Sequence, residues 1–273
     1  MPASAFGLAL AAAFLHAAWN ILLARSRDPQ AATAVALVAA IVAFAPVAAL
    51  TWDAEGEVWP YLLATSLLHL AYFALLAAAY RVAELSVVYP LARGLAPVLV
   101  LVTGVVALGV DLSASAAAAV CLIGTGVVLV RGMSRGAAWE GIAFGLAIAG
   151  CIAAYTLVDK EGIQHASPIT YLELATTFAA LGYLAGLVSV RGVSALRGEV
   201  SLASVAAGLA MFGAYALVLA ALRLAEAAPV AAVRETSILI ATAGAGLVLG
   251  ERFGVARWTG AVFVVAGLVL LAA

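Results

Sequence analysis

Charged residues are scarce in this chain of 273 residues, since Asp, Glu, Lys and Arg together make up only 10% of it. Hydrophobic residues make up 67%, whereas a soluble domain is about half apolar and about one quarter charged. A soluble chain of this length could not remove so much apolar surface from water. The composition therefore predicts an all-α polytopic protein, integral to the cell (inner) membrane and in contact with the lipid bilayer.

Cysteine and histidine are also rare, with two and three copies. Cys121 and Cys151 both lie in apolar runs, which favours small packing residues over a disulfide framework. The histidines fall on separate segments, and HExxH and GxSxG patterns are absent, so the sequence indicates neither a metal site nor an enzyme. We predict no cofactor. The net charge of −1, without a basic stripe, also gives no indication of a nucleic-acid partner.

The apolar residues form ten runs, each of about the length that crosses a bilayer as a helix. The runs cover residues 3–24, 31–51, 59–80, 84–108, 112–131, 138–158, 167–190, 201–223, 226–249 and 255–273. The first run has no lysine or arginine before Arg25, so it lacks the positive region of a cleavable signal peptide and is predicted to stay as a helix.

Most of the thirteen Lys and Arg residues fall in the odd-numbered connections between these runs. They are Arg25, Arg27, Arg81, Arg131, Arg135, Arg191, Arg197, Arg252 and Arg257. The even-numbered connections hold Lys160 and Arg223. The positive-inside rule then predicts that the odd-numbered connections face the cytoplasm and that both termini lie outside.

The two halves of the chain resemble each other. The stretch AYFALLAAAYRVAELSVVYPLARG at 71–94 aligns with AYALVLAALRLAEAAPVAAVRETS at 214–237. A unit of five helices crosses the membrane an odd number of times, so its second copy enters the other way up. We therefore predict two inverted five-helix repeats, 1–133 and 134–273, around a central cavity.

Arg93, Arg234 and Glu235 lie well inside predicted helices, where a charge near the centre costs about 2.5–3.5 kcal/mol on insertion scales. Arg93, in the fourth run, aligns within one residue of Arg234 and Glu235 in the ninth. We expect Glu235 to lie within pairing distance of Arg93. Successive helical residues point about 100° apart, so one arrangement turns Glu235 to the cavity and Arg234 to a neighbouring helix. Glu235 is then a candidate for proton coupling, and permanent pairing with Arg93 is the alternative.

Further polar and aromatic residues share helix faces with these charges or repeat between the halves. The predicted substrate-binding residues are His16, Trp19, Asn20, Tyr72, Tyr89, Arg93, Tyr155, Tyr215, Arg234 and Ser237, and His16 joins Glu235 as a proton-coupling candidate. Tyr155 also shares a face with Asp159, but their position near the end of the sixth run favours a solvated rim.

The motifs HAAWN at 16–20, AELSVVYPLARGLAPV at 83–98 and APVAAVRETSILIATAGAGLVLGER at 228–252 resemble the ten-helix EamA branch of the drug/metabolite transporter superfamily. The resemblance covers the whole chain. It implies two inverted repeats, alternating access around a central cavity, and export of small organic compounds such as amino acids and related metabolites. One difference from the family pattern is Val110, where a glutamate often follows Leu-Gly, as Glu251 does in the second half.

These observations predict a secondary active transporter that exports small organic metabolites, amino-acid-like or related, by proton antiport. The alternative is a facilitative exchanger or importer without proton coupling. We expect a small-molecule substrate and a monomer or a homodimer. A scaffolding protein would leave the charges at membrane depth unexplained.

Overall fold

The computed structural model describes residues 1–82, 85–131, 139–240 and 254–272, and within these ranges its regular structure is entirely helical. The helices are α1 (Ala3–Ala24), α2 (Pro29–Leu50), α3 (Val58–Val82), α4 (Leu85–Leu108), α5 (Ala114–Arg131), α6 (Trp139–Gly162), α7 (Pro168–Arg191), α8 (Ser194–Arg197), α9 (Leu202–Leu224), α10 (Ala227–Glu235) and α11 (Val255–Ala272). In the described part, seven helices are long and apolar enough to cross a membrane, by length and composition.

The expectation of ten helices is not confirmed, because the described ranges contain eleven. One difference is α8, which has 4 residues and is too short to cross a bilayer. Another is the run predicted over 226–249, in which α10 ends at Glu235 and residues 237–240 are helical again after a turn at Thr236. Residues 241–253 lie outside the described ranges, as does the predicted repeat boundary between 133 and 134.

Several helices begin where the sequence supplies a cap. Asp28 precedes α2 and accepts hydrogen bonds from the backbone N–H groups of Gln30 and Ala31. Ser167 accepts from the Thr170 N–H at the start of α7. Each cap is followed by a proline, whose missing N–H costs nothing at the first position of a helix. The caps therefore fix where α2 and α7 enter the bundle.

The packing of the helices follows the repeat. Helix α1 packs against α9 and α3 packs against α6, while α2 packs against α7, α4 against α10 and α5 against α11. In the repeat, α1 corresponds to α6, α2 to α7, α3 to α9, α4 to α10 and α5 to α11. When each helix is replaced by its counterpart, the α1–α9 contact becomes the α6–α3 contact, and each of the other three pairs becomes itself. The two-repeat architecture thus accounts for the helix contacts and places α1, α3, α6 and α9 around the centre.

Helices α5 and α11 touch through their backbones. A Cβ atom on Gly126 would lie 2.6 Å from the Gly260 carbonyl oxygen, and one on Gly260 would lie 2.6 Å from the Gly126 carbonyl oxygen. Real Cβ atoms are essentially never that close to another heavy atom. The crossing therefore needs glycine on both helices, as in other close helix contacts within membranes.

One end of the bundle is sealed by hydrogen bonds between the two halves, and we call it the closed end. The Glu55 N–H donates to the His165 carbonyl oxygen at 3.0 Å. The Ser167 N–H donates to Asp53 Oδ1 at 2.7 Å, and Thr170 Oγ1 donates to the Thr51 carbonyl oxygen at 3.2 Å. The α2–α3 connection is thereby joined to the α6–α7 connection.

Lys160 makes a second link at the closed end. Its Nζ donates to the Leu222 carbonyl oxygen at 2.8 Å and to the Ala225 carbonyl oxygen at 3.0 Å. These two carbonyls belong to the last turn of α9 and its C-cap, where no intrahelical donor remains for them. The lysine therefore ties the end of α6 to the end of α9.

Lys160→Met is expected to lower the thermal unfolding midpoint of the detergent-purified protein, because it removes two charge-assisted hydrogen bonds. Hydrogen bonds to charged groups contribute about 1.5–3 kcal/mol each, so a loss of about 2 kcal/mol is expected for the partly exposed pair. Glu161→Gln is the matched control, since Glu161 is the exposed neighbour and makes no described side-chain bond. Equal midpoints for the two variants would contradict the assigned role.

Candidate functional site

A cavity of about 600 Å³ lies between the two repeats. Its wall is formed by side chains from both halves of the chain, and Asp28, Gln30 and Arg191 line its outer part. None of the described residues of the 51–57 and 163–167 connections lines it. The cavity therefore reaches the end opposite the closed end, which we call the open end, and its volume suits a small organic molecule.

Most of the predicted site residues meet in this cavity. Those that line it are His16, Trp19, Asn20, Tyr72, Arg93, Tyr155, Tyr215 and Arg234. Glu235 and Ser237 are buried, and neither is among the described residues of the wall. The side chain of Tyr89 lies outside the described residues.

A cluster of three charged side chains stands where α4 meets α10. Arg93 Nη1 lies 3.2 Å from Glu235 Oε1 and 3.3 Å from Oε2. Arg234 Nη2 donates to Glu235 Oε1 at 3.0 Å and its Nε donates to the same oxygen at 3.2 Å. The expected pairing of Arg93 with Glu235 is confirmed. Two guanidinium groups share one carboxylate, so among the described residues these three side chains together carry a net charge of +1.

The arrangement that turned Glu235 to the cavity and Arg234 away from it is wrong. Arg234 lines the cavity, whereas Glu235 is 0% exposed behind it. The reason is the length of the arginine side chain, which folds back onto the adjacent carboxylate while its guanidinium remains on the wall. The carboxylate itself turns to α4, where Arg93 bonds both of its oxygens.

His16 extends the cluster onto α1. Arg93 Nη2 lies 2.7 Å from His16 Nε2. Because a guanidinium can only donate, this geometry assigns Nε2 as the acceptor and places the ring proton on Nδ1. Asn20 Nδ2 donates to the His16 carbonyl oxygen at 2.7 Å, one turn away. Arg93 is thus shared between a carboxylate and an imidazole.

Trp19 adds an unused donor to the same wall. Its ring stands edge-on to the His16 ring, with 4.8 Å between the centroids. In the part of the chain that the structure describes, the buried indole Nε1 has no hydrogen-bond partner. A buried N–H without a partner costs about 1–3 kcal/mol. An acceptor on a bound molecule would remove that cost.

The interpretation of Tyr155 and Asp159 as a solvated rim is wrong. Asp159 is 0% exposed and Tyr155 is 7% exposed, and both line the cavity. Helix α6 continues to Gly162, beyond the predicted end at 158, and the closed end covers it. Asp159 accepts hydrogen bonds from Tyr171 Oη at 2.8 Å and from Tyr215 Oη. The carboxylate therefore lies at the inner end of the cavity.

Sequence reasoning missed the residues at the open end. Arg191 Nη1 donates to Asp28 Oδ2 at 2.7 Å, and its Nη2 donates to Gln30 Oε1 at 2.6 Å. Burial alone would raise the pKa of Asp28, but the Ala31 N–H and the Arg191 guanidinium outweigh it, so the pKa lies below its usual range. These residues are 163 positions apart, and only the fold of the second half over the first brings them together.

The cavity also has apolar walls. Phe73, Met211 and Phe212 line it between the charged groups, beside Trp19 and Tyr155. His69 stacks on Tyr155 with 4.2 Å between ring centroids. The site can therefore hold a molecule with an apolar body and a few charged or hydrogen-bonding groups.

Comparison with known proteins matches one family model to the chain twice. The model of the EamA-like transporter family matches residues 3–132 and again residues 139–273. A solved structure described only as "Crystal structure of protein" superposes with a TM-score of 0.78, covering 100% of this chain and 99% of its own, at 15% identity. That likeness shows the fold alone. No curated protein matches the chain.

Proposed function

Because the chain belongs to the EamA-like transporter family, whose members are membrane transporters of small molecules, we propose that it is a secondary active exporter of small organic metabolites. The cargo is amino-acid-like or related, and proton antiport drives it by alternating access. The observation that supports the cargo class is the cluster of Arg93, Arg234 and Glu235 beside the cavity.

The cluster attracts an anion because it carries two guanidinium groups and one carboxylate. Arg93 and Arg234 both line the cavity, so their donors are within reach of a bound molecule. A cargo carboxylate would balance the remaining positive charge and accept charge-assisted hydrogen bonds. The free Trp19 Nε1 supplies another donor beside it. The apolar body of the cargo would lie against the aromatic wall.

Of the two proton-coupling candidates, His16 is the better placed. It lines the cavity and accepts a hydrogen bond from Arg93. Protonation of His16 Nε2 would break that bond and put two positive charges side by side. Proton binding and cargo binding are therefore linked through Arg93. Glu235 is held behind the wall by two arginines, and a proton would reach it only after both had released it.

The open end supports export. It carries the connections after α1 and α7, where Arg25, Arg27, Arg191 and Arg197 lie. Under the positive-inside rule this end faces the cytoplasm, with both termini outside. The cavity would then be open to the cytoplasm, as an exporter needs when it collects cargo. The closed end would open on the other side.

Transport in proteoliposomes tests this function. We expect vesicles with an acidic interior to take up a labelled amino acid several-fold faster than vesicles without a gradient. The probe is chosen beforehand by a thermal-shift screen of amino acids on the purified protein. Collapsing the pH gradient with an ionophore should remove the acceleration.

His16→Gln separates coupling from binding in the same assay. It should keep counterflow of the probe while losing the response to the gradient. Net uptake by the wild-type protein that is equally fast with and without the pH gradient would exclude proton antiport and favour the facilitative exchanger or importer.

A further inference from the structure

Asp159 is a buried carboxylate without a described ion pair. Its oxygens accept hydrogen bonds from the hydroxyls of Tyr171 and Tyr215. Among the ion pairs of the described residues, none includes Asp159. The adjacent cation, Lys160, is turned to the carbonyl oxygens of Leu222 and Ala225 instead. The described hydrogen-bond donors to this carboxylate, at the inner end of the cavity, are therefore two neutral phenol hydroxyls.

Such a charge is expensive to bury. Phenol hydroxyls stabilise a carboxylate by hydrogen bonds but leave its full charge in place, and an ion in a protein interior without a counter-ion costs several kcal/mol. The other wall of the same cavity carries the opposite excess, because Arg93 and Arg234 share the single carboxylate of Glu235. Among the described residues, the cavity thus has a net positive cluster on one wall and, at its inner end, a carboxylate that belongs to no ion pair.

Helix geometry separates the two charges in depth. Arg234 lies seven residues into α10, which starts at the closed end, and Asp159 lies three residues before the end of α6. The Lys160 side chain reaches the Ala225 carbonyl oxygen, so both helix ends lie at the closed end. At about 1.5 Å per residue, Arg234 lies roughly 10 Å along α10 from that end and Asp159 lies roughly 4 Å along α6 from it. A small molecule with two charged groups spans such a difference in depth.

We propose that Asp159 is the residue of this cavity that binds a cationic group of the cargo. It selects molecules that carry an ammonium group as well as a carboxylate. The ammonium donates to the Asp159 oxygens, and the carboxylate accepts from Arg93 and Arg234. This role rests on the proposed transport function and assigns specificity to a residue outside the guanidinium cluster.

Two series of three compounds test the proposal on the full-length protein in nanodiscs. The first is L-phenylalanine, 3-phenylpropionate and phenethylamine, and the second is 5-aminopentanoate, pentanoate and pentylamine. Within each series the compounds share the same apolar part and differ in which charged groups they carry. Dissociation constants are measured by isothermal titration calorimetry. In at least one series, the wild-type protein should bind the doubly charged member at least tenfold more tightly than either analogue, because the missing group leaves a buried charge unpaired.

Asp159→Asn should remove the preference for the doubly charged compound over the acid and change the dissociation constant of the acid by less than about threefold, since its guanidinium contacts are intact. Tyr171→Phe is the control, because it removes a hydrogen bond at the same carboxylate and keeps the charge. It should keep the preference. An Asp159→Asn protein that still prefers the doubly charged compound would overturn the proposal.

The wild-type comparison decides the matter even if Asp159→Asn does not fold. Binding of the acid as tightly as its doubly charged analogue in both series would overturn the role of Asp159. Transport of the same acid in the proteoliposome assay would then leave the proposed function standing. The two conclusions therefore fail by different measurements.

Discussion

Arg93→Gln is expected to reduce transport of the chosen probe by at least about 30-fold, because it removes the net positive charge of the cluster of Arg93, Arg234 and Glu235. Truncating one partner of a buried, hydrogen-bonded charge pair costs about 2 kcal/mol or more, which corresponds to that factor. In this variant Arg234 and Glu235 neutralise each other, so a cargo carboxylate finds no net charge. Initial uptake rates in proteoliposomes, normalised to incorporated protein, measure the effect.

The double variant Arg93→Gln/Glu235→Gln separates charge from shape. It leaves Arg234 as the single charge of the cluster, which restores the net positive charge of the wild-type protein. We expect its uptake rate to be about tenfold higher than that of Arg93→Gln. Its unfolding midpoint should be no lower than that of Glu235→Gln. Glu235→Gln alone leaves two guanidinium groups without a carboxylate and should be the least stable of the three. An Arg93→Gln protein with wild-type rates would contradict a role for the cluster in binding.

Gly126→Leu is expected to abolish the folded protein, because its side chain would have to occupy space held by the backbone of α11. Backbone atoms cannot give way as the end of a side chain can. Overpacking of side chains alone costs about 1–3 kcal/mol, and here the helices themselves would have to separate. Size-exclusion chromatography after detergent extraction should show loss of the monodisperse peak.

Gly186→Leu serves as the control for this experiment. Gly186 is also helical, in α7, but a Cβ atom there would meet no atom within 4 Å. The change should be neutral or slightly stabilising, since leucine favours a helix over glycine by roughly 0.8 kcal/mol. If both variants eluted as the wild-type protein does, the close α5–α11 crossing would be incorrect.

The sequence predicts the helices well because apolar run length is a property of single segments. Helix α1 begins and ends as predicted, and α4 and α7 agree to within one residue at each end. Among the first seven helices, the largest difference between a predicted and an observed boundary is at the end of α6, where Asp159, Lys160 and Glu161 suggested a connection. In the structure these three residues continue the helix, and Lys160 ties its last turns to the end of α9. Helix α8 was missed because four residues carry no periodic signal.

The site is harder to predict, because it depends on contacts between the repeats. Aligning the halves was enough to bring Arg93 to Glu235, which are 142 positions apart. The alignment could not show which of two adjacent residues lines the cavity, since that depends on the rotation of α10 against α4. Nor could it show that Asp159 is covered, because the cover comes from Tyr171 and Tyr215 on two other helices.

The charge cluster bears on how the two halves would recognise each other as separate polypeptides. Arg93 comes from the first half, and Arg234 and Glu235 come from the second. Two copies of residues 1–133 in the same inverted arrangement would bring two Arg93 guanidinium groups together without a carboxylate, at a cost of several kcal/mol. Co-expressed fragments 1–133 and 134–273 would instead complete the cluster. The buried salt bridges would therefore favour pairing of the two different fragments over pairing of two copies of the first fragment.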